Sequence, residues 1–450
     1  MQQIDFSQGS IRRRILAVAT PMLIAQLLNL LYNIVDRIYI GKIPGEGTLA
    51  LASIGLCFPF VTLITAFANL FGLGGAPLCA MARGKGNREG AQGIMVNAGF
   101  MLLLSGAVLT VLGIAFHRPL LYLFGASEVT YPYASSYIVI YLIGTLCVML
   151  SLGLNPYINC QGFARTGMLT VALGAAANIV LDPIFIFALH LGVRGAAIAT
   201  VLSQFLSAAW VVKFLTGKKA ELKLDFRGFR PDCQCIQRIT VLGIASFVMS
   251  FTDTLVQVAC NATLRNFGGD LYISVMTVLN SVRQIAQTPV LAIADGASTA
   301  ISYNYGAGLY KRTRDAIRFM TQIAIGYTML VWMLVSLFPA LFIRIFNQDA
   351  ELVAAAVPAL HIYFFGFVMM AFQYAGQSTF RALGRAKYAV FFSLLRKAFI
   401  VVPLTLLLPY CWNLGVSGVF AAEPVSNCIG GLACYFTMRH VVMPELKMEN

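Results

Sequence analysis

The chain is built of long apolar runs separated by short polar gaps. Reading each run between clusters of Gly, Pro and charge gives twelve spans, near 15–41, 50–79, 91–117, 131–157, 167–190, 195–215, 238–262, 272–303, 318–345, 355–380, 388–410 and 415–437. Runs of this length cross a bilayer as helices, and they lack the alternation of membrane β-strands. The pattern predicts an all-α integral membrane protein with twelve transmembrane helices.

Composition points the same way, with 59% hydrophobic and 11% charged residues and a mean hydropathy of +0.78. A soluble globular fold is excluded. The net charge of +14 does not indicate a nucleic-acid partner, because the basic residues are spread over the gaps instead of forming one stripe. They alternate. Arg12, Arg13 and Arg14, then Arg83, Lys85 and Arg88, then Arg165, then the basic residues of 217–238, then Lys311, Arg312 and Arg314, then Arg381, Arg385 and Lys387 fall on one side; little beyond Lys42, Arg118, Arg194, Arg265 and Arg344 falls on the other. The positive-inside rule predicts a multi-pass inner (plasma) membrane protein with both termini in the cytoplasm. The first apolar run has no small-residue cleavage site and is expected to stay in the membrane. The ten cysteines lack disulfide or metal spacing, and the four histidines are dispersed, so neither set suggests a metal centre or a proton relay.

The longest polar gap, Gly217 to Cys235, follows six spans. It predicts an N-terminal lobe over 1–216, a cytoplasmic linker over 217–237 and a C-terminal lobe over 238–450. The lobes repeat: Gly74, Gly84, Gly86, Gly144 and Gly162 recur 222 residues later as Gly296, Gly306, Gly308, Gly366 and Gly384, and LGVRG at 191–195 recurs as LGVSG at 414–418. Six spans per half is an even number, so both halves share one orientation. That is the parallel repeat by which secondary transporters place a substrate site between two lobes.

Charge inside such spans is costly and marks function by default. Asp36, Asp182, Asp253, Asp295 and Glu423 are the acids there, and Arg283, Arg396 and Lys397 the bases. Asn178 lies four residues before Asp182, on the same helix face, and Pro183 frees a backbone carbonyl beside it. With the N-terminus inside, Asp36 and Asp182 fall in the outer halves of spans 1 and 5, level with Tyr137 and Thr200 early in the inward-running spans 4 and 6. The shift of 222 carries Asp36 to Val258 and Asp182 to Leu404, or to Thr405 if the shift is already 223, so the acidic pair belongs to the first half alone. Two carboxyls in low dielectric suit a shared proton, or Na⁺ with Asn178 and Thr200 adding neutral oxygens. Arg37 is expected to snorkel to the outer surface, and Arg396 and Lys397 to anchor the cytoplasmic end of span 11. Asp253 and Asp295 divide evenly between a second-lobe cavity and local structure.

The stretches PMLIAQLLNLLYNIVDRIYIG, NCQGFARTGM, AANIVLDPIFIF, GVRGAAIAT and ISYNYGAG resemble the multidrug and toxic compound extrusion (MATE) transporters, particularly their DinF-like bacterial branch. The resemblance implies a monomeric twelve-helix antiporter with two six-helix lobes around a central cleft. It would need no cofactor and would export small lipophilic organic cations against Na⁺ or H⁺. It implies an ion site made of Asp36, Asn178, Asp182 and Thr200, with Tyr137 nearby and helix-1 bending at Pro21. Asp253, Asp295 and Arg283 are the candidate second-lobe cavity residues; the helix-10 acid of another branch falls at Met370. A lipid-linked precursor or polysaccharide flippase of the same superfamily is the alternative. An intramembrane enzyme is not supported, since there is no HExxH motif and the serine of DGAST lacks a positioned histidine.

Overall fold

The structure, a computed structural model, describes residues 3–44, 46–346, 348–411 and 414–448. Among these residues every regular element is helical. The first half contains α1 (Ile11–Gly41), α2 (Gly47–Gly55), α3 (Phe58–Gly84), α4 (Arg88–Leu123), α5 (Tyr131–Ile143), α6 (Thr145–Cys160), α7 (Ala164–Pro183) and α8 (Gly192–Thr216). The second contains α9 (Cys233–Gly306), α10 (Tyr310–Leu337), α11 (Pro339–Arg344), α12 (Ala350–Phe364), α13 (Met369–Ala382), α14 (Ala386–Leu394), α15 (Val402–Leu407) and α16 (Val416–Met448). Two π-helical segments extend this set: Ile184–Ala188 continues α7, and Leu395–Val401 joins α14 to α15.

Among the described residues eight helices are long and apolar enough to cross a membrane alone, and ten segments are if each bent pair, α5 with α6 at 55° and α12 with α13 at 50°, counts as one span. A break at Gly269, whose φ is 65°, divides α9 into two rods. With its second rod and α16, both long helices, the set is consistent with the twelve-helix architecture. The two bends fall at repeat-related glycines. A Cβ on Gly144 would stand 2.6 Å from Val201, and one on Gly366 would stand 2.6 Å from the Pro424 carbonyl, so both bends depend on close approach by a neighbouring helix. The turns repeat as well. Left-handed Gly86, Gly162 and Gly192 (φ 75°, 87° and 53°) recur as Gly308, Gly384 and Gly415 (φ 71°, 70° and 53°), each pair ending equivalent helices or opening equivalent turns.

The chain divides into two compact units, residues 1–5 with 21–243, and residues 6–20 with 244–450. Each unit therefore includes the opening of a helix that continues into the other: residues 6–20 precede Pro21 in α1, and the first turns of α9 precede Ile244. In unit 1, a Cβ on Gly74 would meet the Ile239 carbonyl at 2.4 Å, and in unit 2 one on Gly296 would meet Ala19 at 2.9 Å. These repeat-related glycines receive the two helix openings. The non-helical stretch 217–232 is not a loose tether. Ala220, Leu222 and Leu224 are buried on alternate positions, Glu221 pairs with Arg83, Gln161 Oε1 accepts the Leu222 N–H at 2.9 Å, and Asn97 Oδ1 accepts the Asp232 N–H at 3.0 Å.

Candidate functional site

In unit 1 the acidic pair is assembled by α1 and α7. Asn178 and Asp182 sit one turn apart on α7, both buried, and Asn178 Nδ2 donates to Asp182 Oδ1 at 3.1 Å. Pro183 cannot donate to the carbonyl four residues back, and the helix relaxes into the π-helical turn Ile184–Ala188 directly after it. The Asp36 carboxyl on α1 lies close enough to the Asp182 carboxyl for the two to interact electrostatically. Three oxygens in this group, Asp36 Oδ1, Asp182 Oδ2 and Asn178 Oδ1, are buried with no donor facing them. Buried acceptors normally have a partner, and leaving one without costs roughly 1–3 kcal/mol. Acceptors left without a partner around two carboxyls suit a bound cation or a proton held between them.

Asp36 also lines a cavity of about 260 Å³ in unit 1 together with Tyr32, Tyr137, Tyr141, Thr200 and Gln204. Tyr137 and Tyr141 are buried with their rings stacked at 6.1 Å, giving the cavity an aromatic wall. Asn178 and Asp182 are not part of that wall. The structure thus brings Asp36, Tyr137 and Thr200 together around one space and links Asp36 to Asn178 and Asp182 through the carboxyl pair. Pro21 lies within α1, at the residue where the chain passes from one unit to the other. Arg37, read from sequence as an outer-surface anchor, stands over the Phe58 ring at 5.0 Å and contributes to the cavity wall.

The second half places a different pair at the equivalent point. Val258, given by the uniform shift of 222, is 60% exposed. Cys260 instead meets Thr405, Sγ to Oγ1 at 3.9 Å, both buried, so the register is 224 in the first helix and 223 in the eleventh span. The counterpart of the carboxyl pair is a thiol and a hydroxyl.

Unit 2 has its own charged cluster. Arg283 Nη2 pairs with Glu423 at 2.7 Å and Arg283 Nη1 donates to the Tyr363 hydroxyl at 2.8 Å, while Tyr363 donates to Asn280 at 2.9 Å. Asp253 pairs with Lys397 at 3.0 Å. Asp295 lies apart, 3.7 Å from Arg381, and does not line the cavity that Asp253 and Arg283 share. The expectation that Arg396 and Lys397 anchor a helix end is overturned: they are 6% and 3% exposed and both pair with Glu423. They lie ten and eleven residues beyond the start of α14 at Ala386, roughly 15 Å along the helix axis. That is too far for their side chains to reach the near surface, so they ion-pair inside. Glu423 and Asn427, spaced i,i+4 on α16, were the missed partners; Asn427 Oδ1 accepts from Arg396 Nη1 at 2.6 Å.

A duplicated helical membrane fold with buried acids and an aromatic-walled cavity is the architecture of a membrane transporter. The family described as MatE matches residues 21–184 and again 245–407, so its repeat coincides with the one read from the glycines. The chain belongs to the MatE family of multidrug and toxic compound extrusion transporters. It is 24% identical to the multidrug export protein MepA of Staphylococcus haemolyticus over 97% of this chain and 95% of that one. It is 25% identical to a protein of Shewanella oneidensis named FAD transporter, over 96% of each. A solved MATE structure described as being in the bent conformation superposes with a TM-score of 0.94 at 23% identity, covering 100% of this chain and 99% of that one.

Proposed function

We propose that this chain exports lipophilic organic cations by alternating access in exchange for Na⁺ or H⁺, with the coupling ion held by Asp36, Asn178, Asp182 and Thr200. The observation that carries the reading is the set of three donorless oxygens on Asp36, Asp182 and Asn178. An ion arriving there neutralises one carboxylate and supplies the missing partner, which changes the balance between states that hold the site open to either side. A cation in the neighbouring cavity feels the same carboxylates. Ion binding therefore weakens substrate binding and promotes release. Efflux of ethidium from proteoliposomes, with sodium and proton gradients imposed separately, tests this; acceleration by at least one gradient is expected, and a response to neither counts against exchange.

The same reading sets both termini in the cytoplasm and the protein in the plasma membrane. Two native cysteines report the orientation: Cys233, exposed at the start of α9, and Cys411, exposed between α15 and α16. A membrane-impermeant maleimide is expected to label Cys411 in intact cells and Cys233 only after permeabilisation, with Cys411→Ser and Cys233→Ser assigning the signals. The reverse order would invert the proposed orientation.

A further inference from the structure

A cavity of about 430 Å³ in unit 2 is walled in part by Asp253, Arg283, Tyr363, Arg396, Lys397 and Glu423. Its three basic side chains face two acidic ones, leaving one positive charge in excess at membrane depth. A single atom, Glu423 Oε1, takes Arg283 Nη2 at 2.7 Å, Arg396 Nη1 at 3.0 Å and Lys397 Nζ at 3.4 Å. Three cations converging on one carboxylate oxygen reproduce the way proteins hold a carboxylate or phosphate ligand, with arginine forks supplying direction. A cluster serving only to join helices would be expected to balance its charge and fill its volume, since uncompensated buried charge is strongly destabilising. This one does neither.

We propose that this cavity binds a small organic anion, a carboxylate or phosphate ester, whose charged group takes the place of the Glu423 carboxylate among Arg283, Arg396 and Lys397. The excess positive charge attracts it. Asn280, Gln284 and Gln287 line the same space and offer hydrogen bonds to the rest of the molecule. Glu423 then acts as a tethered competitor that keeps the cations satisfied while the site has no ligand. The site goes beyond cation exchange: it lies wholly in unit 2 and uses neither Asp36 nor Asp182.

The test is equilibrium binding of fluorescein, an aromatic carboxylate, to the full-length protein in phosphatidylcholine nanodiscs, read by fluorescence polarisation. No ion gradient is imposed, so the outcome is independent of coupled efflux. Saturable binding is expected, about tenfold weaker in Arg283→Gln, which removes one arm of the receptor, and about tenfold tighter in Glu423→Gln, which removes the competitor. A merely structural role for Glu423 would lower thermal stability without tightening binding. Equal affinity in the wild type and Arg283→Gln overturns the proposal, and that comparison decides it even if Glu423→Gln fails to fold. Repeating the wild-type measurement with phosphatidylglycerol in the nanodiscs identifies the source of the anion. Lost fluorescein binding assigns the site to a lipid headgroup, and retained binding assigns it to a soluble anion.

Discussion

Asp182→Asn and Asp36→Asn are each expected to lower gradient-driven ethidium efflux by roughly 5- to 150-fold, the range that a coupling free energy of about 1–3 kcal/mol spans. Both substitutions keep side-chain shape. In Asp182→Asn the new amide can still accept from Asn178 Nδ2, so the local hydrogen bond of α7 survives while the charge is lost. Neither variant can supply two carboxyls to one ion, and the gradient loses its hold on the conformational equilibrium. Downhill leakage of ethidium should persist, because the aromatic wall of Tyr137 and Tyr141 is untouched. Asp295→Asn is the control: its carboxylate pairs with Arg381 outside either charged cavity, and coupled efflux should remain near the wild-type rate. Undiminished coupled efflux in both Asp36→Asn and Asp182→Asn would contradict the assignment.

The second large effect is one of packing. Gly243→Ala is expected to destabilise the protein by about 1–3 kcal/mol or more, the usual cost of forcing atoms into a filled interior. A Cβ there would lie 1.8 Å from the Leu70 carbonyl oxygen, and that atom belongs to the backbone of α3, so no side-chain rotation relieves the clash. The helices must separate. Gly74 lies against the same crossing, its own Cβ position 2.8 Å from the Gly243 Cα, so the contact has no slack on either side. Gly326→Ala, in α10, where nothing lies within 4 Å, should be neutral or slightly stabilising, since alanine is the better helix former. Thermal unfolding of the two purified variants in detergent makes the comparison. An unchanged midpoint for Gly243→Ala would mean that the first rod of α9 does not pack on α3 as described.

The spans were legible because a bilayer imposes length and hydropathy on every crossing helix, whatever its neighbours do. The bends at Gly144 and Gly366 were not. A glycine inside an apolar run reads the same whether or not a partner helix presses on it, and the partners, Val201 and Pro424, are 57 and 58 residues away in sequence. The first-half site could be read for the opposite reason. Asn178 and Asp182 announce themselves by i,i+4 spacing beside a proline, and Asp36 is an acid in a run with little other charge. Their register against the second half slipped by two residues at Val258, because the matching glycines all lie after the first helix and say nothing about the chain before them. Arg396 and Lys397 were misread because two adjacent bases near a predicted helix boundary look like an anchor. Only the fold shows that Glu423, 26 residues further on, is their partner.

If the donorless oxygens of Asp36, Asp182 and Asn178 hold the coupling ion, equilibrium binding to the purified full-length protein will show it, with radiolabelled sodium uptake and proton release on ethidium addition read separately. Saturable sodium uptake or a proton exchange is expected in the wild type, and neither in Asp36→Asn or Asp182→Asn. The same ion stoichiometry in the wild type and both variants would place the coupling ion elsewhere.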